Sequence, residues 1–170
     1  EKYKNFNNIE IINEDILKFE LKNFKNLIIL SNLPYNISTK IILYLFDYNK
    51  NILEMIFMLQ KEVAIKFDYN LLGMNKYKFL TKIVSNFSRK FNVSPKVFKP
   101  EPKITSTVVK FSIYQNNIDL KKAYLFCKII FKNIRKRIKN NLNIDIDEEL
   151  INKRLNQLSI NELLKIYNFF

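Results

Sequence analysis

The sequence predicts an α/β sheet followed by a small all-α domain. Three observations predict it. Apolar runs of strand length stand at 27–30 and 53–59 without polar alternation, as in strands of a parallel sheet covered on both faces. Helix-period segments alternate with such runs up to about Tyr114. From Leu120 to Phe170 only helix-period segments follow.

The elements are expected in this order. Ile9, Ile11 and Ile12 form a short β-prone run that stops at Asn13-Glu14-Asp15. Leu27 to Leu30 is a strand that stops at Ser31-Asn32-Leu33-Pro34. A helix follows Pro34, with Ser38 or Thr39 as N-cap and Ile41, Ile42, Leu45 and Phe46 on one face. Leu53 to Leu59 reads as a buried strand, and Gln60 to Phe67 as the start of a helix. Helical periodicity covers Tyr77 to Phe91. Val93 to Val97 and Thr107 to Ile113 read as two strands, an antiparallel hairpin around the Pro-rich loop Phe98 to Pro102. The pattern changes near Gln115-Asn116-Asn117, and helices are expected over 121–140, 147–157 and 159–169. Asp147 and Ser159 are candidate N-caps, and Ser159 with Glu162 fits a capping box.

Composition narrows the chemistry. Lys and Arg number 29 against 16 Asp and Glu, a formal net charge of +13. Such an excess favours a polyanionic partner, because neutralising phosphates releases counterions. A biased, Asn- and Lys-rich composition accounts for Lys over Arg better than for basic over acidic. The absence of His excludes histidine acid–base chemistry, Ser-His triads and His metal ligands. The single Cys127 allows neither an internal disulfide nor a Cys-based zinc site. No apolar run reaches the roughly 18 residues of a membrane span, and no signal-peptide pattern opens the chain.

The sharpest chemical signal is Asn32-Leu33-Pro34-Tyr35, just after an apolar strand. Sites of α/β folds sit at the carboxyl ends of parallel strands. An adenine amino group is a poor nucleophile because its lone pair is delocalised into the ring. The Asn side-chain oxygen and a backbone carbonyl beside Pro can accept its two hydrogens and localise the lone pair. Such aimed acceptors favour the transition state without a titrating base. Tyr35 offers a flat face on which a base can stack, and Pro34 presets the backbone. The same residues also suit an ordinary strand-to-helix turn. Phe98, on its Pro-flanked loop, is suited to close over the other face of a flipped base, or to be a core aromatic beside a loop.

In this order and spacing, Asn32-Leu33-Pro34-Tyr35-Asn36-Ile37-Ser38, Leu59-Gln60-Lys61-Glu62-Val63-Ala64 and Phe98-x-Pro100-x-Pro102-Lys103 resemble the KsgA family of small-subunit rRNA adenine dimethyltransferases. Ser106-x-Val108-Val109 follows the last of these. Arg135-Lys136 with Ile138, Asn140 and Leu142 resembles the basic helix that opens that family's C-terminal domain. Arg154, Leu158-Ser159 and Glu162-Leu163 resemble its closing segment. DNA adenine methyltransferases usually carry Pro-Pro-Tyr, so Leu33-Pro34 argues against them. Macrolide-resistance rRNA methyltransferases share the pocket motif, and the Gln60 to Ala64 and Arg135-Lys136 segments favour the KsgA family over them.

The resemblance implies the C-terminal part of a Rossmann-like class I methyltransferase sheet. Residues 1–115 are then a partial S-adenosylmethionine-dependent domain, without the first strands and the Gly-rich loop, and 116–170 a helical rRNA-binding domain. The implied reaction methylates two adjacent adenosines twice each, near the 3′ end of small-subunit rRNA. S-adenosylmethionine is the expected cofactor, with no metal. Asp15 matches the family residue that contacts the cofactor adenine, Ile16 supplies a neighbouring backbone group, and Asn32 lies between cofactor and substrate. Asp15 also reads as a helix N-cap. Asn32, Leu33, Pro34, Tyr35 and Phe98 are the expected catalytic set. Arg135, Lys136, Arg137 and Lys139 fall within five positions, with 135 and 139 on one face of the expected helix. They are the expected RNA contacts, or a solvated helix face. The implied partners are the 3′-terminal rRNA hairpin and the pre-30S particle, with no membrane. The implied protein is a cytoplasmic monomer, or an organellar one in a eukaryote.

Two departures stand out. The family's Gly-rich loop and the acidic residue that holds the cofactor ribose are absent, and Gly73 is the only glycine. The chain opens on Glu1, so an upstream segment is expected to be missing through omission or a partial gene. Lys78-Phe79 stands where the family usually has Gly-Arg after an aromatic, a change expected at a surface contact with RNA. The competing reading is a non-catalytic RNA-binding or assembly factor, or a mitochondrial transcription factor, of the same fold.

Overall fold

The computed structural model describes residues 7–170. It contains a four-stranded sheet in the order β1-β2-β4-β3, with β1 at Leu27–Asn32, β2 at Ile52–Gln60, β3 at Ser85–Val93 and β4 at Ser106–Ile113. β1 runs parallel to β2, while β4 is antiparallel to both β2 and β3. Helix α1 (Ser38–Phe46) makes the parallel crossover from β1 to β2. Helices α2 (Lys61–Phe67) and α3 (Lys76–Val84) lie between β2 and β3. After β4 come only helices: α4 (Leu120–Ile130), α5 (Glu148–Asn152) and α6 (Ile160–Phe169).

Phe111 of β4 is the centre of the core. Its ring meets Phe46 of α1, Phe57 of β2, Phe67 of α2 and Phe87 of β3 at centroid distances of 5.9, 6.2, 5.8 and 5.0 Å. The helical part joins the same core through Phe79 of α3, which lies 5.1 Å from Phe126 of α4 and 5.3 Å from Tyr167 of α6. The expected apolar face of α1, Ile41, Ile42, Leu45 and Phe46, is buried. Asp147 caps α5 by accepting from the Glu149 N–H, and Ser159 with Glu162 forms the expected capping box on α6.

Several elements differ from the sequence reading. Ile9, Ile11 and Ile12 form no strand and are exposed, and the outer edge of β1 stays unpaired among the described residues. β1 forms as expected but is not covered on both faces. It is the edge strand, and Ile28 and Leu30 are 59% and 69% exposed. Helix α1 has Ile37 at its N-cap without a side-chain cap, and Ser38 lies inside the helix, its Oγ donating to the Tyr35 carbonyl at 3.4 Å.

The helical period over 77–91 ends early. Helix α3 stops at Val84, and Ser85–Val93 joins β4 along nearly its whole length. Pairing in the sheet here overrides local propensity. The hairpin with β4 therefore uses 85–93, and Pro95–Val97 is a 3-10 turn instead of a strand. Lys78 is buried, its Nζ donating to the carbonyls of Leu71 and Leu72 at 2.8 and 2.7 Å, and burial lowers its pKa. It ties down the α2–α3 loop from inside and presents no surface contact.

The expected helix over 121–140 ends at Ile130. Turns follow, because the chain is recruited to α5: the Ile138 N–H donates to the Lys153 carbonyl at 3.0 Å and Arg137 bridges Arg154. Ile138 and Leu142 are buried there. The expected helix over 147–157 likewise shortens to α5 plus a 3-10 turn at Leu155–Gln157.

Candidate active site

The site is built on the ends of three neighbouring strands. β1 ends at Asn32, and the next residue, buried Leu33, donates its N–H to the Met58 carbonyl of β2 at 3.3 Å. Pro34 then turns the chain, its carbonyl accepting from the Ile37 N–H at 3.3 Å as α1 begins. Pro34 fixes φ and brings no N–H that would need a partner. Asn32 and Pro34 are exposed and Tyr35 is half-buried.

The facing wall comes from the loop between β3 and β4. Ser94 caps the Pro95–Val97 turn, and the Phe98 N–H closes it on the Pro95 carbonyl at 3.1 Å. Half-buried Phe98 follows. A cleft of about 350 Å³ separates the two loops, lined by Asn32, Leu33, Pro34 and Tyr35 on one side and Phe98, Lys99, Pro100 and Pro102 on the other. The volume is at the small end for ligand sites and suits one compact ring system. The structure thus brings together all five expected catalytic residues. Sequence reasoning missed Ser106, whose Oγ lies 2.9 Å from the Tyr35 hydroxyl. Its place just after the Pro-rich motif was the available signal, but nothing local connects it to Tyr35.

Asp15 and Ile16 do not line this cleft. Asp15 opens a turn: its Oδ1 accepts from the Leu17 N–H at 3.0 Å and its carbonyl from Lys18 and Phe19. Among the described residues no strand precedes it and no helix starts from it, so Asp15 caps a single turn and neither the strand end nor the helix N-cap expected there forms. Its carboxylate is exposed and can still accept from a nucleoside. Gly73, at φ 80°, sits in the α2–α3 loop with open space where a Cβ would be, so it cradles nothing. The residues present therefore fit a nucleoside cofactor in part, with an exposed carboxylate at Asp15 and an exposed amide at Asn32. Among the described residues no cluster of His, Cys, Asp or Glu could hold a metal ion, and no helix is long and apolar enough to cross a membrane.

Arg135, Lys136, Arg137 and Lys139 are all exposed. They follow the turns after α4 instead of one helix, so 135 and 139 do not share a helical face. Buried Ile138 pegs this basic segment to the fold.

A model of the ribosomal RNA adenine dimethylase family matches residues 1–170. The chain belongs to this family.

Curated members include the ribosomal RNA small subunit methyltransferase A of Hydrogenobaculum sp., 34% identical over 167 residues. That of Buchnera aphidicola is 35% identical over 179 residues, and each comparison covers 97% of this chain and 66% of the relative. That of Mycoplasma capricolum is 34% identical, covering 96% of this chain and 71% of the relative. The chain thus spans about two thirds of the length of these family members. A dimethyladenosine transferase from Plasmodium falciparum superposes with a TM-score of 0.72 at 21% identity, over 99% of this chain and 78% of that one. The 23S rRNA methyltransferase ErmE superposes with a TM-score of 0.72 at 15% identity, over 98% and 74%. Both share the Rossmann-like methyltransferase fold expected from the sequence.

Proposed function

We propose that this chain carries the substrate side of an rRNA adenine N6,N6-dimethyltransferase acting on two adjacent adenosines near the 3′ end of small-subunit rRNA. The observation that carries this reading is the single cleft between the Asn32–Tyr35 loop and Phe98, in a member of the adenine dimethylase family. Residues 1–115 act as part of the methyltransferase domain and 116–170 as the part that holds rRNA. The partner is the pre-30S particle, met by a monomer in the cytoplasm.

Bound S-adenosylmethionine supplies an electrophilic methyl group, with Asp15, the Ile16 backbone and Asn32 as its contacts from this chain. The remaining steps belong to the cleft. Tyr35 and Phe98 hold the flipped adenine between two faces. The Asn32 side-chain oxygen accepts one amino hydrogen. A backbone carbonyl beside Pro34, that of Leu33 in this reading, accepts the other. Both acceptors strengthen their bonds as the nitrogen becomes positive, so they act most in the transition state. The proton then leaves the positively charged nitrogen to solvent. The monomethylated base has one amino hydrogen and needs one acceptor, so the same cleft serves the second transfer.

The test is methyl transfer by the protein as its gene encodes it, on small subunits lacking this modification. Dimethyladenosine at two adjacent positions supports the reading. Subunit binding without transfer assigns the non-catalytic role.

A further inference from the structure

Ser106 is 0% exposed and opens β4, yet its hydroxyl reaches into the loop that follows β1. Its Oγ and the Tyr35 hydroxyl are 2.9 Å apart, and either can donate. Tyr35 lies on the loop after β1, a strand that does not touch β4, since β2 lies between them. Both are pinned to the end of that middle strand. Leu33 donates to Met58, Lys61 donates to the Thr105 carbonyl, and Ser106 pairs in register with Gln60. Ser106 is also paired with Val93 on its other side. Its hydroxyl is therefore mounted on a backbone held by two neighbours, whereas Tyr35 sits on a loop. The same bond reaches the root of the loop that carries Phe98, so it links the two walls of the cleft.

We propose that Ser106 is a positioning residue for the substrate base: its hydroxyl fixes the plane of the Tyr35 ring and the spacing between Tyr35 and Phe98. This rests on the reading of Tyr35 as a stacking face. A side chain buried only for packing would need no hydroxyl, and a buried hydroxyl needs a partner. The partner here is the tip of an aromatic ring half-open to the cleft. Fixing that ring places the amino group against its acceptors, and a misplaced reacting atom lowers turnover more than binding.

The experiment compares wild type, Ser106→Ala, Tyr35→Phe and the double variant in the protein as its gene encodes it. Two readouts are taken: kcat and KM for methyl transfer to unmodified small subunits, and quenching of 2-aminopurine placed at the target position of a hairpin RNA. Both single variants are expected to lower kcat by about 3- to 10-fold, the scale of one hydrogen bond, with KM little changed. The double variant should be no worse than either single one, because they remove the same bond. Quenching by Ser106→Ala should fall although Tyr35 retains its ring. If Ser106→Ala fails to fold, Tyr35→Phe with its half-exposed ring still reports the bond. Wild-type quenching lost in Ser106→Ala without any methyl transfer would sink the proposed reaction but uphold the positioning role. Unchanged kcat and quenching in the variants, additive losses in the double variant, or no quenching by wild type would overturn it.

Discussion

The Tyr124 hydroxyl donates to Asp47 Oδ1 at 2.8 Å, joining α4 to the end of α1. The bond spans 77 positions of sequence and ties the first helix after β4 to the helix that follows the Asn32–Tyr35 loop. Burial, then Asp47, pushes the Tyr124 hydroxyl above its ordinary pKa. Tyr124→Phe is expected to cost about 1 kcal/mol of stability, read from chemical denaturation. Asp47→Asn should cost less when Tyr124 is already Phe. Additive losses would show that the two side chains do not act on each other.

Asn32→Ala in the gene-encoded protein should abolish measurable dimethylation while the thermal midpoint stays within error. Losing one transition-state acceptor costs roughly 2.7–4 kcal/mol, about a hundred- to thousandfold in rate. Turnover near wild type would exclude the acceptor role.

The 170-residue polypeptide alone is expected to show no micromolar affinity for S-adenosylmethionine. Asp15 and Asn32 offer two polar contacts, and Gly73, the one glycine, stands in open space. Calorimetric titration is the check. Micromolar binding would mean that these residues suffice.

Replacing Arg135, Lys136 and Lys139 by Gln should weaken subunit binding and leave the choice of adenine unchanged, since phosphate contacts position without specifying. Each lost contact should flatten the salt dependence by roughly 0.7 to 0.9 log units per log unit of salt. A binding series across salt concentrations measures both. Unchanged affinity and slope would move the RNA surface to the loops around Tyr35 and Phe98.

Acid should loosen the contact between α5 and α6. The Lys153 ammonium, then the Ser159 N–H and hydroxyl, lower the Glu162 pKa from 4.5 to about 2. A carboxyl with a lowered folded-state pKa stabilises fully above its unfolded value. Its contribution is lost as pH falls from about 4.5 to about 2. Amide exchange in the first turn of α6 should quicken over that window, and Glu162→Gln should remove the pH dependence. A profile identical in that variant would assign the loosening to other carboxyls.

Local signals were legible in the sequence wherever the deciding partners lie within a few residues. The Ser159–Glu162 capping box, the Asp147 cap and the Pro34 turn after an apolar strand are of this kind. So is the apolar run of strand length that marks β2. The candidate site was legible as two motifs because each loop carries its own turn chemistry. Distant partners decided the rest. Ser85 to Phe91 has a helical period, yet β4 captures it as a strand. Ile28 and Leu30 read as core but lie on an edge strand. Lys78 reads as surface but donates to two carbonyls inside a loop. Arg135 to Lys139 reads as helix but is drawn off by contact with Lys153 and Arg154. Ser106 reads as the start of a strand, and only the stacking of β1, β2 and β4 side by side sets its hydroxyl against Tyr35. A sequence fixes which groups a segment can offer, while the free energy of pairing and burial depends on which groups the fold brings to meet them.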